Sequence, residues 1–565
     1  MHSSLSAERR SIAADLLLLA LVIGGIYLVL LGQRPLSVPS EARYAEIPRE
    51  MLASGDWLTP RLNGVKYFEK PPLFYWLQAV DEALFGRSEF AVRMLTAAFG
   101  VGGCLVVYVT GRALWSRRTG LLAAGTMATS VLYFELSRQV LLDMPVAFFL
   151  TATFTAFLFG IRAPPESPAR SRAMYLMYAM AAGATLTKGL IGMVLPGLVV
   201  LVWLAVTGRW SELRHVRLPT GTLLFLALTV PWHVAVALRN PEFAWFYFVH
   251  EHVLRFLTPE AGRSEPAWFF IPILIVGWLP WVVFLPSTLW ESVSTWWTDR
   301  RGCSAELFVL LWFLLPLLFF SASRSKLIPY VLPFFPPLAL LLGVWLDRAL
   351  EQERRVVRGG LFLLSALLIG LALLVDRVHA DPQLFIPPRY LTAATPALGD
   401  LMPLTYGLAL AAIALGWMAR RDALGAAVAV TLAGSAAFGL AVDTIVGAAQ
   451  PGSTKPLAMI LDPRLQPGAE VAALFKYPQD LPFYLNRRIT VVATGGDELD
   501  FGRSVEDTTS WMIGEGEFWR RWTGPGHVMY AVVPLARYAE LSTDHKTTMI
   551  ELGRTASDVL VTNVR

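Results

Sequence analysis

The sequence predicts an all-α polytopic membrane protein of about thirteen transmembrane helices, followed by a small C-terminal α/β domain. Three observations carry this prediction. The 565 residues are 55% hydrophobic and only 16% charged, with 19 Trp and a positive mean hydropathy, a balance that soluble globular chains do not show. Apolar stretches near 20 residues long recur along the first 447 positions, and a span needs about that length. From Ala448 onward the pattern changes to charges throughout with short apolar runs. The domains are therefore 1–447, which includes an outer loop over 33–93, and 448–565.

Candidate spans begin near Ile12, Met94, Thr119, Met144, Ala173, Leu190, Leu223, Trp268, Leu307, Leu327, Gly359, Leu404 and Leu424. The first, Ile12 to Leu31, follows Arg9 and Arg10, is too long for a signal-peptide core and lacks a small-residue cleavage site, so it reads as a retained anchor. Lys and Arg in short loops mark the cytoplasmic side. Alternate loops hold Arg112, Arg117 and Arg118; Arg162, Arg170 and Arg172; Arg209, Arg214 and Arg217; Arg300 and Arg301; Arg348, Arg354, Arg355 and Arg358; and Arg420 and Arg421. An odd number of spans then places the tail outside. The net charge of +5 is mostly this topology signal, and no basic patch with interleaved aromatics supports a nucleic-acid partner. Cys104 and Cys303 offer neither a disulfide framework nor a CxxC knuckle. No Walker A sequence supports direct coupling to ATP hydrolysis.

The outer loop is long enough to need a function or an ordered structure. Glu41 to Leu52 alternates charged and apolar residues at near-helical spacing, with Pro48 placed in its first turn or bending it. Pro71 and Pro72 suit the start of a second helix, whose apolar face is Leu73, Phe74, Trp76, Leu77, Val80, Leu84 and Phe85. Both read as helices on the membrane surface. In the tail, Glu470–Phe475, Arg488–Ala493, Val528–Val533 and Asp558–Thr562 read as strands and Leu535–Leu541 as a helix, with Phe483 and Tyr484 open to a substrate contact but favoured as packing residues.

The unusual polar residues fall on one side. Glu41, Arg43, Glu69, Lys70, Glu135, Arg138, Asp143, Lys188, His250, Glu251, His252, Arg255, Arg324, Lys326 and Tyr330 all lie in outside loops or at the outer ends of spans. Ionisable groups at that depth are costly and tend to face a water-filled cavity with partners. A transport path would also show them midway and towards the inside, where few occur. Lys70, Lys188, Arg255, Arg324 and Lys326 suit a phosphate clamp. Glu69 and His250 suit a divalent metal, Zn or Mg. Asp143 and Glu41 are carboxylates that could position a sugar or accept a proton. Blander readings stand beside these: a solvated Glu69 and Lys70 pair, a snorkelling Lys188, a belt tyrosine at Tyr330, and only one of His250 and His252 entering the site. Asp143 is hardest to set aside, because an acid entering an apolar span rarely lacks a partner. The set points to chemistry on a phosphorylated lipid.

Five stretches carry a resemblance: Glu41 to Pro71 (EARYAEIPREMLASGDWLTPRLNGVKYFEKP), Leu141 to Pro145 (LLDMP), Thr187 to Leu190 (TKGL), Pro241 to Phe256 (PEFAWFYFVHEHVLRF) and Ser323 to Leu340 (SRSKLIPYVLPFFPPLAL). In these the chain resembles the bacterial lipid A aminoarabinose transferase family, within the polyprenyl-phosphate-dependent GT-C glycosyltransferases that include the protein O-mannosyltransferases. The resemblance implies a transmembrane glycosyltransferase fold with two juxtamembrane helices in the first outer loop. It implies that Lys70 and Arg255 hold the phosphate of an undecaprenyl-phosphate sugar donor, with Lys188, Arg43 and Tyr330 near it. Glu69 and His250 match metal-binding positions, Tyr44 and Tyr67 match cavity tyrosines, Lys326 lies on the same cavity side, and Asp143 matches a required acid.

The implied donor sugar is 4-amino-4-deoxy-L-arabinose, the acceptor a lipid A phosphate, and the place the periplasmic face of the bacterial inner membrane, amid its lipids. Other acceptors, a glycan, another lipid or a protein, remain open, and a lipid flippase is the non-enzymatic alternative. One departure bears on mechanism. The family usually has an Asp before the Glu-Ala-Arg-Tyr run, given a catalytic role, and here that position is Ser40. Serine cannot act as a base at neutral pH, whereas a phosphate acceptor is already an anion and needs none. A hydroxyl acceptor would need Glu41 or Asp143 as base, and lost or diverged activity is equally compatible with Ser40.

Overall fold

The computed structural model describes residues 2–255, 265–298, 304–352, 354–384, 401–448, 452–544 and 549–564. Arg300, Arg301 and Cys303 lie outside them. In chain order come α1 (His2–Leu28), α2 (Ser40–Ser54), the strands β1 (Arg61–Leu62) and β2 (Val65–Lys66), α3 (Leu73–Phe85), α4 (Glu89–Leu114), α5 (Arg117–Ala128), α6 (Val131–Ser137), α7 (Asp143–Arg162), α8 (Pro168–Lys188), α9 (Ile191–Thr207) and α10 (Leu218–Arg239). A π-helix over Trp245–Leu254 and further helices to Ala448 lead to an α/β tail. The chain forms two compact units. One comprises Met1–Leu31, Arg93–Arg377 and Leu401–Asp443, the other Gly32–Val92, Val378–Asp400 and Thr444–Arg565. The outer loop, placed by the sequence reading in the membrane domain, thus shares a unit with the tail.

In the first unit a helix stands at or beside every expected start, and nine of those among the described residues are long and apolar enough to cross a membrane. A tenth arises if Phe270–Gly277 and Trp281–Thr298, bent by 110°, are one broken span; Pro280 between them has no N–H to continue the ladder. The stretch from Thr119, expected as one span, is instead α5 and α6, of 12 and 7 residues. Ser130 is extended between them, and the Trp281 indole donates to the Thr129 hydroxyl at 3.0 Å across the break. Small residues let backbones meet: a Cβ at Gly120 would stand 2.6 Å from the Tyr108 carbonyl oxygen, and one at Gly343 2.8 Å from that of Thr119.

Two charged side chains fix the apolar part of α1, Arg10–Leu28, towards its two ends. Asp15, an acid within an apolar helix, accepts from Arg112 at 2.9 Å and from Arg117 at 2.7 Å. At the other end the fully buried Arg138 donates to the carbonyls of Tyr27 at 2.7 Å and Val29 at 2.8 Å, which end α1 without helical partners, and to Asp443 at 2.8 Å. Arg138, grouped by sequence with the polar cavity, is here a helix-end fastener.

The second unit is built on a six-stranded sheet of order β5-β4-β3-β6-β8-β7. Its strands are β3 (Glu470–Leu474), β4 (Thr490–Val492), β5 (Met512–Ile513), β6 (Met529–Pro534), β7 (Ile550–Arg554) and β8 (Asp558–Thr562). The first four in spatial order are parallel, and β8 and β7 run antiparallel at the edge. Ala472, Leu474, Val492, Phe518, Trp522, Ala531, Val533 and Val559 fill its core. Outer-loop residues are bonded into this domain. The β1–β2 hairpin turns at Asn63 and Gly64, both at positive φ, which suits a tight hairpin. The Asn63 side chain exchanges two hydrogen bonds with the Ile489 backbone, at 3.1 and 3.0 Å, and Arg61 pairs with Glu506 at 3.0 Å.

α3 is inside out for a water-exposed helix. Of its apolar face only Phe74 is buried, whereas Gln78, Asp81 and Glu82 point inward and Val80, Leu84 and Phe85 outward, which is the demand of an interfacial helix. Neither Glu82 carboxyl oxygen has a hydrogen-bond partner among the described residues. Burial pushes this carboxyl up to about 8, against the opposing charges of Arg87 and Arg49.

Two outcomes follow. Arg138→Ala removes one partner of a buried ion pair and costs about 3–5 kcal/mol, read as a lower melting temperature of the reconstituted protein; an unchanged melt would show that the pair carries nothing. Glu82 stabilises the fold while protonated, fully below its unfolded pKa of about 4.3, and that stability is lost as pH rises through its folded value of about 8. The melting temperature should therefore fall between roughly pH 5 and 9, and Glu82→Gln should flatten the fall. A slope of equal size in the variant assigns it elsewhere.

Candidate active site

In the first unit the site grows from a helical hairpin. α7 begins with Asp143 and α8, of 21 residues against 20, returns to end at Lys188, so the two charges meet at one level. Each also sits at the helix end its sign favours. The Lys188 ammonium and the Asp143 carboxylate form an ion pair. Tyr330, in the 3₁₀ segment Ile328–Phe334, places its ring 4.4 Å from the Lys188 nitrogen, within cation–π range.

Beside this triad lies the π-helix, a form frequent at functional sites. Leu190 N–H donates to His252 Nε2 at 3.3 Å and His252 Nδ1 lies 2.6 Å from the Tyr247 carbonyl, an arrangement that suits the Nδ1–H tautomer. His252 is thereby locked against the chain just past Lys188. His250 faces elsewhere: its ring stacks on Phe246 at 4.9 Å, and Nδ1 is 3.4 Å from Glu251. Arg255 donates to Glu251 at 2.5 Å, and its positive charge reaches Lys188. The Lys326 ammonium donates to the carbonyls of Glu265 at 2.8 Å and Ser323 at 2.6 Å.

In the second unit α2 sets the geometry. Ser40 opens the helix, half-buried. Glu41 is fully buried, and its Oε2 accepts from Arg34 at 3.0 Å and from the Ser37 backbone and hydroxyl at 2.9 Å each. Arg43 is bound bidentately by Glu498, Nε to Oε1 at 3.1 Å and Nη2 to Oε2 at 2.9 Å. Burial pushes the Glu498 carboxyl up, and Arg43 opposes that. The Tyr44 ring lies 5.8 Å from the Arg43 guanidinium and 6.3 Å from Tyr75. Tyr67 is buried, its hydroxyl without a hydrogen-bond partner among the described residues and its pKa raised by burial and by Glu69. Lys70 donates to the backbone carbonyl of Glu69 at 2.6 Å. Phe483 stacks edge-on with Tyr484, whose hydroxyl accepts from Leu36 N–H at 3.0 Å, so both pack as expected.

The expected metal pair, Glu69 and His250, divides between the two units. Among the described residues no group of three or more His, Cys, Asp or Glu side chains could hold a metal ion, and zinc takes three or four protein ligands. Glu69 and His250 do not by themselves supply a metal site. Glu498 was not singled out by sequence; nothing local in GGDELD announces a partner 455 positions away.

A family model described as dolichyl-phosphate-mannose-protein mannosyltransferase matches residues 12–247, and one described as aminoarabinose transferase C-terminal domain matches 457–563. The crystal structure of ArnT from Cupriavidus metallidurans bound to undecaprenyl phosphate superposes with a TM-score of 0.83 at 30% sequence identity, covering 98% of each chain. The chain belongs to the aminoarabinose transferase family. An undecaprenyl phosphate-alpha-4-amino-4-deoxy-L-arabinose arabinosyl transferase of Aeromonas salmonicida is 37% identical over 363 residues, 63% of this chain and 65% of that protein. One of the same description from Pseudomonas aeruginosa is 38% identical over 376 residues, 66% of each. The chain thus spans just under two thirds of the length of these curated relatives. As an aminoarabinose transferase family member it has the multi-pass GT-C architecture that its five motif stretches imply.

In this aminoarabinose transferase family chain the Tyr330 ring serves Lys188 through its face. Tyr330→Phe should therefore melt as the parent does, while Tyr330→Leu should cost roughly 0.5–2 kcal/mol of stability, read as a lower melting temperature. Equal losses in both would shift the role to the hydroxyl.

Proposed function

We propose that the chain transfers 4-amino-4-deoxy-L-arabinose from undecaprenyl phosphate to a lipid A phosphate at the periplasmic face of the bacterial inner membrane. In the first unit Arg255, with Lys188, supplies positive charge for the donor phosphate; in the second, Lys70, with Arg43, is the cation that the family resemblance assigns to it. Attack at the anomeric carbon inverts it as the lipid phosphate departs, and these cations stabilise the charge that grows on the leaving oxygen. Arg supplies a fork matched to phosphate and Lys a point charge.

The observation that carries the choice of acceptor is at the start of α2. Ser40 offers no base, and Glu41 is buried under three hydrogen bonds from Arg34 and Ser37, so neither is placed to take a proton. Asp143 is held in its ion pair with Lys188. A hydroxyl acceptor needs a general base within reach, whereas a phosphate acceptor brings its own negative charge. That supports transfer to a phosphate over transfer to a protein or glycan hydroxyl.

Transfer in reconstituted vesicles should fall at least about 100-fold in Lys70→Ala and should also fall in Asp143→Ala, which leaves Lys188 buried and unpaired. Undiminished turnover in both sinks the site assignment. Lipid A from cells with the gene should carry an aminoarabinose mass increment that is missing after its deletion; identical spectra would turn the reading to another sugar or acceptor.

A further inference from the structure

The C-terminal domain has so far been a packing partner, yet two of its loops converge on a side chain of the donor site. Glu498 follows β4 and Gln479 follows β3, so both leave the carboxyl ends of adjacent parallel strands, where open α/β sheets present their ligand-contacting loops. Gln479 Nε2 donates to Glu498 Oε1 at 3.0 Å, and the same carboxylate takes Nε and Nη2 of Arg43. The pair is nearly dry, its side chains 10% and 12% exposed.

We propose that Glu498 is the positioning residue of Arg43, through which the C-terminal domain orients the donor-phosphate end of α2. This rests on the donor reading above. An arginine side chain has many rotamers, and a bidentate carboxylate fixes both the plane and the direction of its fork. With Nε and Nη2 committed, Nη1 is the nitrogen left for an anion, held over the Tyr44 ring and near Tyr67 and Glu69. Gln479 in turn fixes the carboxylate, so the relay runs from the β3 and β4 loops to one guanidinium nitrogen. Glu498 touches no reacting atom in this scheme and acts only through Arg43.

The test measures undecaprenyl phosphate binding and donor and acceptor KM with the full-length protein in nanodiscs, for the unsubstituted chain, Glu498→Gln, Arg43→Ala and the double variant. Glu498→Gln should weaken undecaprenyl phosphate binding and raise donor KM about tenfold, leaving acceptor KM in place, and should have no further effect once Arg43 is Ala. Glu498→Asp, which keeps the charge but shortens the reach, should lose less and serves if the Gln variant melts early. Equal losses with and without Arg43, or a lower melting temperature with unchanged lipid affinity and KM, overturn the positioning role alone. No binding by the unsubstituted chain overturns the donor reading, and this inference with it.

Discussion

The buried charges of α2 are the constraint on which the second unit depends. Glu41, Arg43, Glu46, Arg49 and Glu50 all lie inside the unit within one 15-residue helix, and an unpaired charge there costs several kcal/mol. Each is answered: Glu41 by Arg34 and Ser37, Arg43 by Glu498, Glu46 by Arg49 at 2.6 Å, and Glu50 by the Gly64 N–H at 2.9 Å. Glu498 belongs to the tail, so α2 cannot reach its final charge balance until residues more than 400 positions later have folded. Asn63 and Arg61 repeat the dependence through Ile489 and Glu506. Loop and tail are therefore one folding unit by electrostatic necessity, and closing such long separations in sequence is slow.

The first unit solves the same problem with helix ends. Asp143 and Lys188 neutralise each other at the open end of the α7–α8 hairpin, with Tyr330 covering the cation, and Arg138 closes α1 while neutralising Asp443. Similar residues thus serve opposite purposes. Arg138 is fully enclosed with its hydrogen bonds spent on backbone and Asp443, whereas the α7–α8 pair stays at a helix mouth beside the π-helix and Arg255. Enclosure, rather than residue type, separates the fastener from the site.

That distinction explains what was legible in the sequence. Hydropathy located a helix at or beside every start, because apolar length is a local property. It did not show that the Thr119 stretch breaks at Ser130, where Trp281 bonds Thr129 from elsewhere in the fold. Four strands were readable as apolar runs; β5, of two residues, is too short to carry a pattern, and β7 is an edge strand interrupted by Gly553. The Asn63-Gly64 dipeptide is the strongest short-range hairpin signal, but the strands it joins, Arg61–Leu62 and Val65–Lys66, have two residues each and are too short to show an alternating pattern. Asp143, Lys188 and Tyr330 stood out in three separate stretches because each is anomalous where it stands, and the structure brings the three side chains together. Glu498 is not anomalous in a polar tail, and only the fold reveals that it holds Arg43.

The short run from Ser40 to Arg43 then carries two demands that limit each other. Glu41 must face inward, or Arg34 and the Ser37 amide lose their acceptor, and Arg43 must keep its fork on Glu498 while sparing one nitrogen. On a helix, neighbours two apart diverge by roughly 200°, so fixing Glu41 and Arg43 on their partners leaves the direction of residue 40 little freedom. Whatever stands at that position inherits its placement and decides only its chemistry. An Asp there would bring a base; the hydroxyl of Ser40 brings none. Under the proposed transfer this loss costs nothing, because the acceptor phosphate already carries the electron pair that a base would otherwise have to free, and the arginine three residues on still neutralises the phosphate that leaves.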